Sequence, residues 1–230
     1  MENKFNNWLV QFSNIVPNSN NPFDQAGRKH NELMSTIELN GNREMSTIQV
    51  YNMVDNVIYN EYCADIHNFS SQTFATPILN FQDMLEMKNY VNSLNINDNA
   101  KRKFLVLADI LMNYEVVNLS TILSDIVSFE NNLVTEIGSD KNIYSQVLIA
   151  SSIGRYSLCY WHDRLLSNSV KQDNRAPFWK KFFVALADAL GGLAGGVAGS
   201  STVIGGIAGS VTGAISTSTG FAKLWDIFAE

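Results

Sequence analysis

The chain has 230 residues, 46% hydrophobic and only 17% charged, with a net charge of -6 and a pI near 5.1. That balance excludes a disordered chain, and without a basic block there is no phosphate-tracking surface, so no nucleic-acid partner is expected. Cys63 and Cys159 are too few for a disulfide framework and have no second Cys or His at ligand spacing, so both read as small buried thiols. The start, Met1 to Trp8, lacks the basic residues and apolar core of a signal peptide. The expected location is the cytoplasm, or outside it by a dedicated export system.

Apolar residues recur at spacings of three and four over long stretches, and strict alternation is rare, so the expected fold class is all-α, a multi-helix bundle. Asn21-Pro22 suits a helix start and Asn40-Gly41 its end. A second helix is expected from about Asn42 to His67, with Met45, Ile48, Tyr51 or Asn52, Val54 or Asp55, Ile58 and Tyr62 on its inner face. The Ser/Thr-rich segment 68–77 reads as a connection. A helix from about Ile78 to Leu94 follows, and a turn at Asn95 to Asp98 caps one starting near Ala100. Its wide stripe of Phe104, Leu105, Leu107, Ala108, Leu111 and Met112 belongs in the core. Leu119 to Ile137 and Asp140 to about Leu166 complete a body spanning residues 1–175. The polar segment Gln172 to Pro177 marks the boundary, since helices rarely run through the residue before proline.

Residues 176–230 form a different kind of sequence. From Ala189 to Ala222 there is no charge, and Leu190 to Gly199 repeats as Ile204 to Gly213 with an offset of 14. Gly191, Gly195 and Gly199 line one side of a helix, as do Gly205, Gly209 and Gly213, which gives two glycine-zipper units. Six such glycines cost about 5 to 6 kcal/mol relative to alanine, so dense backbone packing must offset them. One unbroken helix of this length would far exceed the roughly 30 Å of a hydrocarbon core. The expectation is a helical hairpin turning near Ser200-Ser201-Thr202. Trp179, Lys180 and Lys181 before it, with Lys223 and Trp225 after it, match the aromatic and basic flanks of interfacial anchors. Membrane lipid and a second copy of the chain are the partners this pattern suggests; a permanent soluble core is the alternative.

Candidate chemistry is sparse. His30, His67 and His162 are the three histidines; none has a ligand at paired metal spacing, and the Glu-x-x-His pair of a di-iron bundle is absent. No metal, cofactor or catalytic set is expected. His162 and Asp163 are adjacent, so on a helix they diverge by about 100°. Arg155, Tyr156, Tyr160 and Trp161 read as a buried aromatic strip with Arg155 stacked or paired.

Asn21-Pro22-Phe23-Asp24, then Gly27 and His30-Asn31-Glu32, resemble an N-terminal block shared by uncharacterised helical proteins, mainly of Bacteroidetes. Ala150 to Ser157, then Tyr160-Trp161, is similar to their second block, and small-residue-rich tails recur there. The resemblance implies no activity; it implies a shared site or shared packing at Asp24, Gly27, His30, Asn31, Arg155, Tyr156 and Trp161. In architecture the chain also resembles pore-forming colicin domains, which hold an apolar hairpin inside a helical bundle. The resulting expectation is a non-enzymatic, bacteriocin-like or pore-forming factor. The alternative is a soluble binding or structural protein with the hairpin as core or oligomer interface.

Overall fold

A computed structural model describes residues 17–42, 44–62, 71–72, 75, 78, 81, 83–112, 119–137, 144–169, 179–198 and 203–224; the side chains of 164–169, 179–183, 198, 203–205 and 221–224 lie outside the description. Among the described residues the fold is all-α. Eight helices follow in chain order: α1 Gln25–Asn40, α2 Thr47–Tyr62, α3 Met84–Ser93, α4 Asp98–Met112, α5 Leu119–Ile137, α6 Ser145–Ser169, α7 Trp179–Ala198 and α8 Val203–Leu224.

Local chemistry explains most boundaries. The Asn21 side chain accepts from Phe23 N–H, making a turn that sets Asn-Pro-Phe-Asp ahead of α1 rather than in its first turn. α1 ends at Asn40, with the Gly41 N–H closing on the Ile37 carbonyl and Gly41 in an extended conformation. α3 starts at Met84, later than expected, because the Asp83 carboxylate accepts from the N–H groups of Leu85 and Glu86. That side-chain cap satisfies two donors the first turn leaves open. Asn97 accepts likewise from Asn99 N–H at the head of α4.

α7 and α8 pack on each other more extensively than any other pair; α6 lies along α7, and α1 and α2 lie across α8. α4 covers α7 and α6, α5 packs on α4 and α6, and α3 packs on α4. One apolar core runs through all of them, from Met34 and Ile37 of α1 through Phe104 and Leu107 of α4 to Leu190, Leu193 and Val211 of the central pair.

The central pair is antiparallel and closely spaced. A Cβ on Gly195 would collide with the Gly209 carbonyl, one on Gly213 with the Gly191 carbonyl, and one on Gly191 would lie 2.5 Å from the Gly213 carbonyl. The glycine faces of α7 and α8 thus meet each other, backbone against backbone. Gly199 lies outside the described residues, and of Gly205 only its place in α8 is described.

Two expectations need correction. Ser71, Gln72 and Ala75 are helical, so the segment 68–77 is not simply a connection. Ile48 is 66% exposed; the buried face of α2 is Val50, Tyr51, Val54 and Ile58. The stripe has the expected spacing but starts later, since α2 itself begins only at Thr47. The expected helices from Asn42 to His67 and from Asp140 extend over residues 63–67 and 140–143, which lie outside the described residues. So do the proposed turn at 200–202 and Trp225; Trp179, Lys180, Lys181 and Lys223 are placed on α7 and α8 without side-chain description. Among the described residues no helix is long and apolar enough to cross a membrane.

Candidate functional site

α1 and α6 run side by side in parallel, stitched at nearly every turn. Asn21 donates to the Leu148 carbonyl at 3.0 Å, Ser152 Oγ to the Asp24 carbonyl at 2.9 Å, Gly27 N–H to Ser152 Oγ at 3.1 Å and Asn31 Nδ2 to the Tyr156 carbonyl at 3.0 Å. Gly27 is where the helices come closest. A Cβ there would lie 2.5 Å from both the Ser152 carbonyl oxygen and the Tyr156 ring. The two short sequence blocks therefore meet in space, and all six candidate polar residues lie along this seam or just behind it, in two clusters.

The first cluster is ionic. Arg155 is fully buried and pairs with Asp24, which is 15% exposed, and at 3.3 Å with Glu130, which is also fully buried. Tyr156 Oη donates to Asp24 Oδ2 at 3.0 Å, and the Arg155 guanidinium lies 5.1 Å from the centre of the Tyr156 ring. Glu130 also accepts from Asn18 Nδ2 at 2.7 Å and from Ser151 Oγ at 3.1 Å. Burial pushes the Glu130 carboxyl up from its ordinary value, with Arg155, Asn18 and Ser151 offsetting part of that push. Burial opposes charge on Arg155, but Glu130 and Asp24 outweigh it and hold the guanidinium charged.

The second cluster lies where α1 and α6 face the hairpin, and it centres on Asp188 of α7. Ser157 donates to Asp188 Oδ2 and Ser218 Oγ lies in hydrogen-bond contact with the same oxygen, Trp161 Nε1 stands 3.4 Å from it, and Thr217 Oγ1 is 3.3 Å from Oδ1. His30 Nε2 is 3.6 Å from Oδ2, with both side chains fully buried. His30 Nδ1 lies 3.0 Å from Asn31 Oδ1. Desolvation lowers the His30 pKa to about 4, against a smaller raising effect of its bond to Asn31. Desolvation raises Asp188 to about 7, against the smaller lowering effect of its hydrogen bonds with Ser157, Ser218, Trp161 and Thr217. Burial in a low-dielectric interior favours the neutral form of each.

His, Asp and Ser side chains this close invite comparison with a nucleophilic triad. The geometry does not support that chemistry. His30, Ser157, Asp188 and Ser218 are all at 0% exposure, so a substrate has no approach to them in this conformation. A small cavity beside α7, of about 20 Å³, is lined by apolar groups including Met84, Met87, Leu186 and Leu190, room for little more than one water molecule. Among the described residues no three His, Cys, Asp or Glu side chains converge as a metal site. His162 and Asp163 are half-buried, with Nδ1 and Oδ1 3.5 Å apart.

Asp188 and Glu130 are central to the clusters but were not singled out from the sequence. Glu130 had a visible signal: four residues after Ile126 and three before Leu133, it falls on the buried stripe of α5, where a carboxylate needs a buried partner. Asp188 precedes the charge-free run by one residue, and is the only acid in α7. No family model, curated protein or solved structure matches the chain.

Proposed function

We propose that the chain is a non-enzymatic helical protein in which the C-terminal hairpin is the permanent core, and that it acts as a binding or structural module. One observation carries this reading. Asp188, at the middle of α7, takes its partners from α1, α6 and α8 at once. Lifting the hairpin out of the body would take Asp188 and Ser218 away from the Ser157 hydroxyl, the Trp161 indole N–H and His30 Nε2. Each buried polar group left unpaired costs about 1 to 3 kcal/mol. The glycine faces add to this, because among the described residues Gly191, Gly195, Gly209 and Gly213 are occupied by each other.

A membrane-active, bacteriocin-like factor is the second reading. It draws on the sheltered position of the hairpin and on α8, where Thr212, Ser216 and Thr217 donate to carbonyls of their own helix, a pattern that a lipid environment tolerates. Against it stands the cost of a polar acid at hairpin mid-length in lipid.

Dye release from anionic and neutral vesicles, with flotation to measure lipid binding, separates the two at pH 4.5 and 7.5. The core reading predicts no release and no flotation at either pH. Release at either one replaces it with the membrane reading.

A further inference from the structure

The second cluster has more polar atoms than one arrangement of protons can satisfy by accident, so its hydrogen bonds can be followed atom by atom. Asn31 Nδ2 donates to the Tyr156 carbonyl, which fixes the orientation of the amide and leaves Asn31 Oδ1 as an acceptor. His30 Nδ1, 3.0 Å away, must then carry the hydrogen, because two acceptors cannot bond to each other. In a neutral imidazole Nε2 is consequently bare and needs a donor. Among the described residues, Ser218 Oγ, at 3.5 Å, and Asp188 Oδ2, at 3.6 Å, are the polar atoms beside it. The Trp161 indole can only donate, and it lies 3.3 Å from Ser218 Oγ. The Ser218 hydroxyl is therefore free to turn its hydrogen toward His30.

With that orientation, the short contact between Ser218 Oγ and Asp188 Oδ2 needs a hydrogen from the Asp188 side. If Asp188 were instead an ionised carboxylate beside a neutral His30, Ser218 would be drawn to the carboxylate. The buried Nε2 lone pair would then face a negative oxygen with no hydrogen between them. If His30 were an imidazolium, 3.6 Å would be too long for the charge-assisted bond that a buried ion pair requires.

We infer that His30 and Asp188 form a neutral relay through Ser218, with the proton on the Asp188 carboxyl and His30 held in the Nδ1–H form, and that this relay clasps α1 to the hairpin without placing net charge in the core. The relay deepens the reading of the hairpin as permanent core and rests on it. The pKa directions agree, with His30 lowered and Asp188 raised.

Other groups around the relay leave it undisturbed. From α6, Cys159 is pushed up by burial to about 12 and stays a thiol, while Arg155 is taken up by Glu130 and Asp24. α4 presents Phe104, Leu107, Ala108 and Leu111 inward, with its Asp109 exposed. α2 presents Val50, Tyr51, Val54 and Ile58, and Tyr51 is raised to about 12 by burial. Among the described residues, α8 contributes only hydroxyls.

Nitrogen-15 spectra of the full chain labelled at histidine test the relay. The expected result at pH 6 is one imidazole with Nδ1 protonated and Nε2 unprotonated, still unchanged at pH 5. D188N replaces the carboxyl O–H by an amide N–H of similar shape. It is expected to keep that tautomer and a thermal midpoint at or above that of the parent at pH 6. An imidazolium at His30 at pH 6 overturns the inference. So does a D188N chain that folds but has a charged His30, or whose midpoint falls by more than about 10 °C. Neither spectrum depends on lipid, so failure of the relay and failure of the core reading remain distinguishable.

Discussion

Arg155 and Ser157 sit two residues apart on one helix, yet they hold two polar clusters built on opposite principles. Around Arg155 a cation is matched by Glu130 and by Asp24 at the rim. Around Ser157 and Trp161 every member is sealed from water, and desolvation wins over the hydrogen bonds to Asp188. The difference is the supply of compensating charge. A buried ion survives where a full opposite charge lies at hydrogen-bond distance, whereas polar donors alone leave the neutral acid preferred. The first cluster fixes α1 and α5 on α6; the second fixes α7 and α8 to α1 and α6.

Both clusters depend on the hairpin and its neighbours being tightly packed, which gives the largest expected effect. In Gly195→Leu the new side chain meets the Gly209 carbonyl at the point of closest approach. α7 and α8 must separate, and a loss of at least about 4 kcal/mol is expected in urea unfolding. Such a loss removes the second cluster along with the interface. Next comes Arg155→Met, which leaves Glu130 buried without its cation and is expected to cost about 3 kcal/mol. Adding Glu130→Gln should recover part of that loss, and a double-mutant cycle with zero coupling would dissolve the ionic cluster as described.

The third prediction separates the two titratable members of the second cluster by pH. His30 has a folded pKa of about 4 against an ordinary 6.5; its contribution is fully present above 6.5 and is lost as pH falls through 4. Asp188 has a folded pKa of about 7 against 3.8; its contribution is fully present below 3.8 and is lost as pH rises through 7. Between about pH 4 and 6.5 the two slopes oppose each other, each about 1.4 kcal/mol per pH unit. The parent should show little dependence from this pair. Relative to the parent, H30Q should lose stability as pH rises across that window, and D188N should gain it. Denaturant midpoints at four pH values measure both slopes.

The smallest expected effect is a gain. At Gly206 a Cβ would meet nothing nearer than the Gly196 carbonyl at 4.0 Å, so Gly206→Ala should add about 0.8 kcal/mol through helix propensity. Its contrast with Gly195 marks which glycines the interface needs.

How legible this was depended on the kind of signal. The helices of α4 and α5 follow from periodicity, because a wide apolar stripe has only one way to be buried. The start of α3 was missed because Asp83 takes over the first turn, a cap that propensity does not weigh. The blocks around Asp24 and Arg155 stood out as clusters in sequence, yet nothing in one chain could show that residues 128 apart, such as Asp24 and Ser152, hydrogen-bond. Asp188 was hidden by the way the tail was delimited: a run defined by lack of charge begins just past the one acid that ties it to the body. Gly27 shows the converse. Its reason is a close helix approach that becomes visible only once α6 lies against α1.

The claim that the hairpin is a permanent core is tested most directly by native-state amide hydrogen exchange, resolved by residue under low denaturant. Slowest-exchanging amides of α7 and α8 should open only with global unfolding, at the same free energy and denaturant dependence as those of α6. A hairpin that exchanges through a separate, lower-energy opening, with α4, α5 and α6 still protected, would contradict the account.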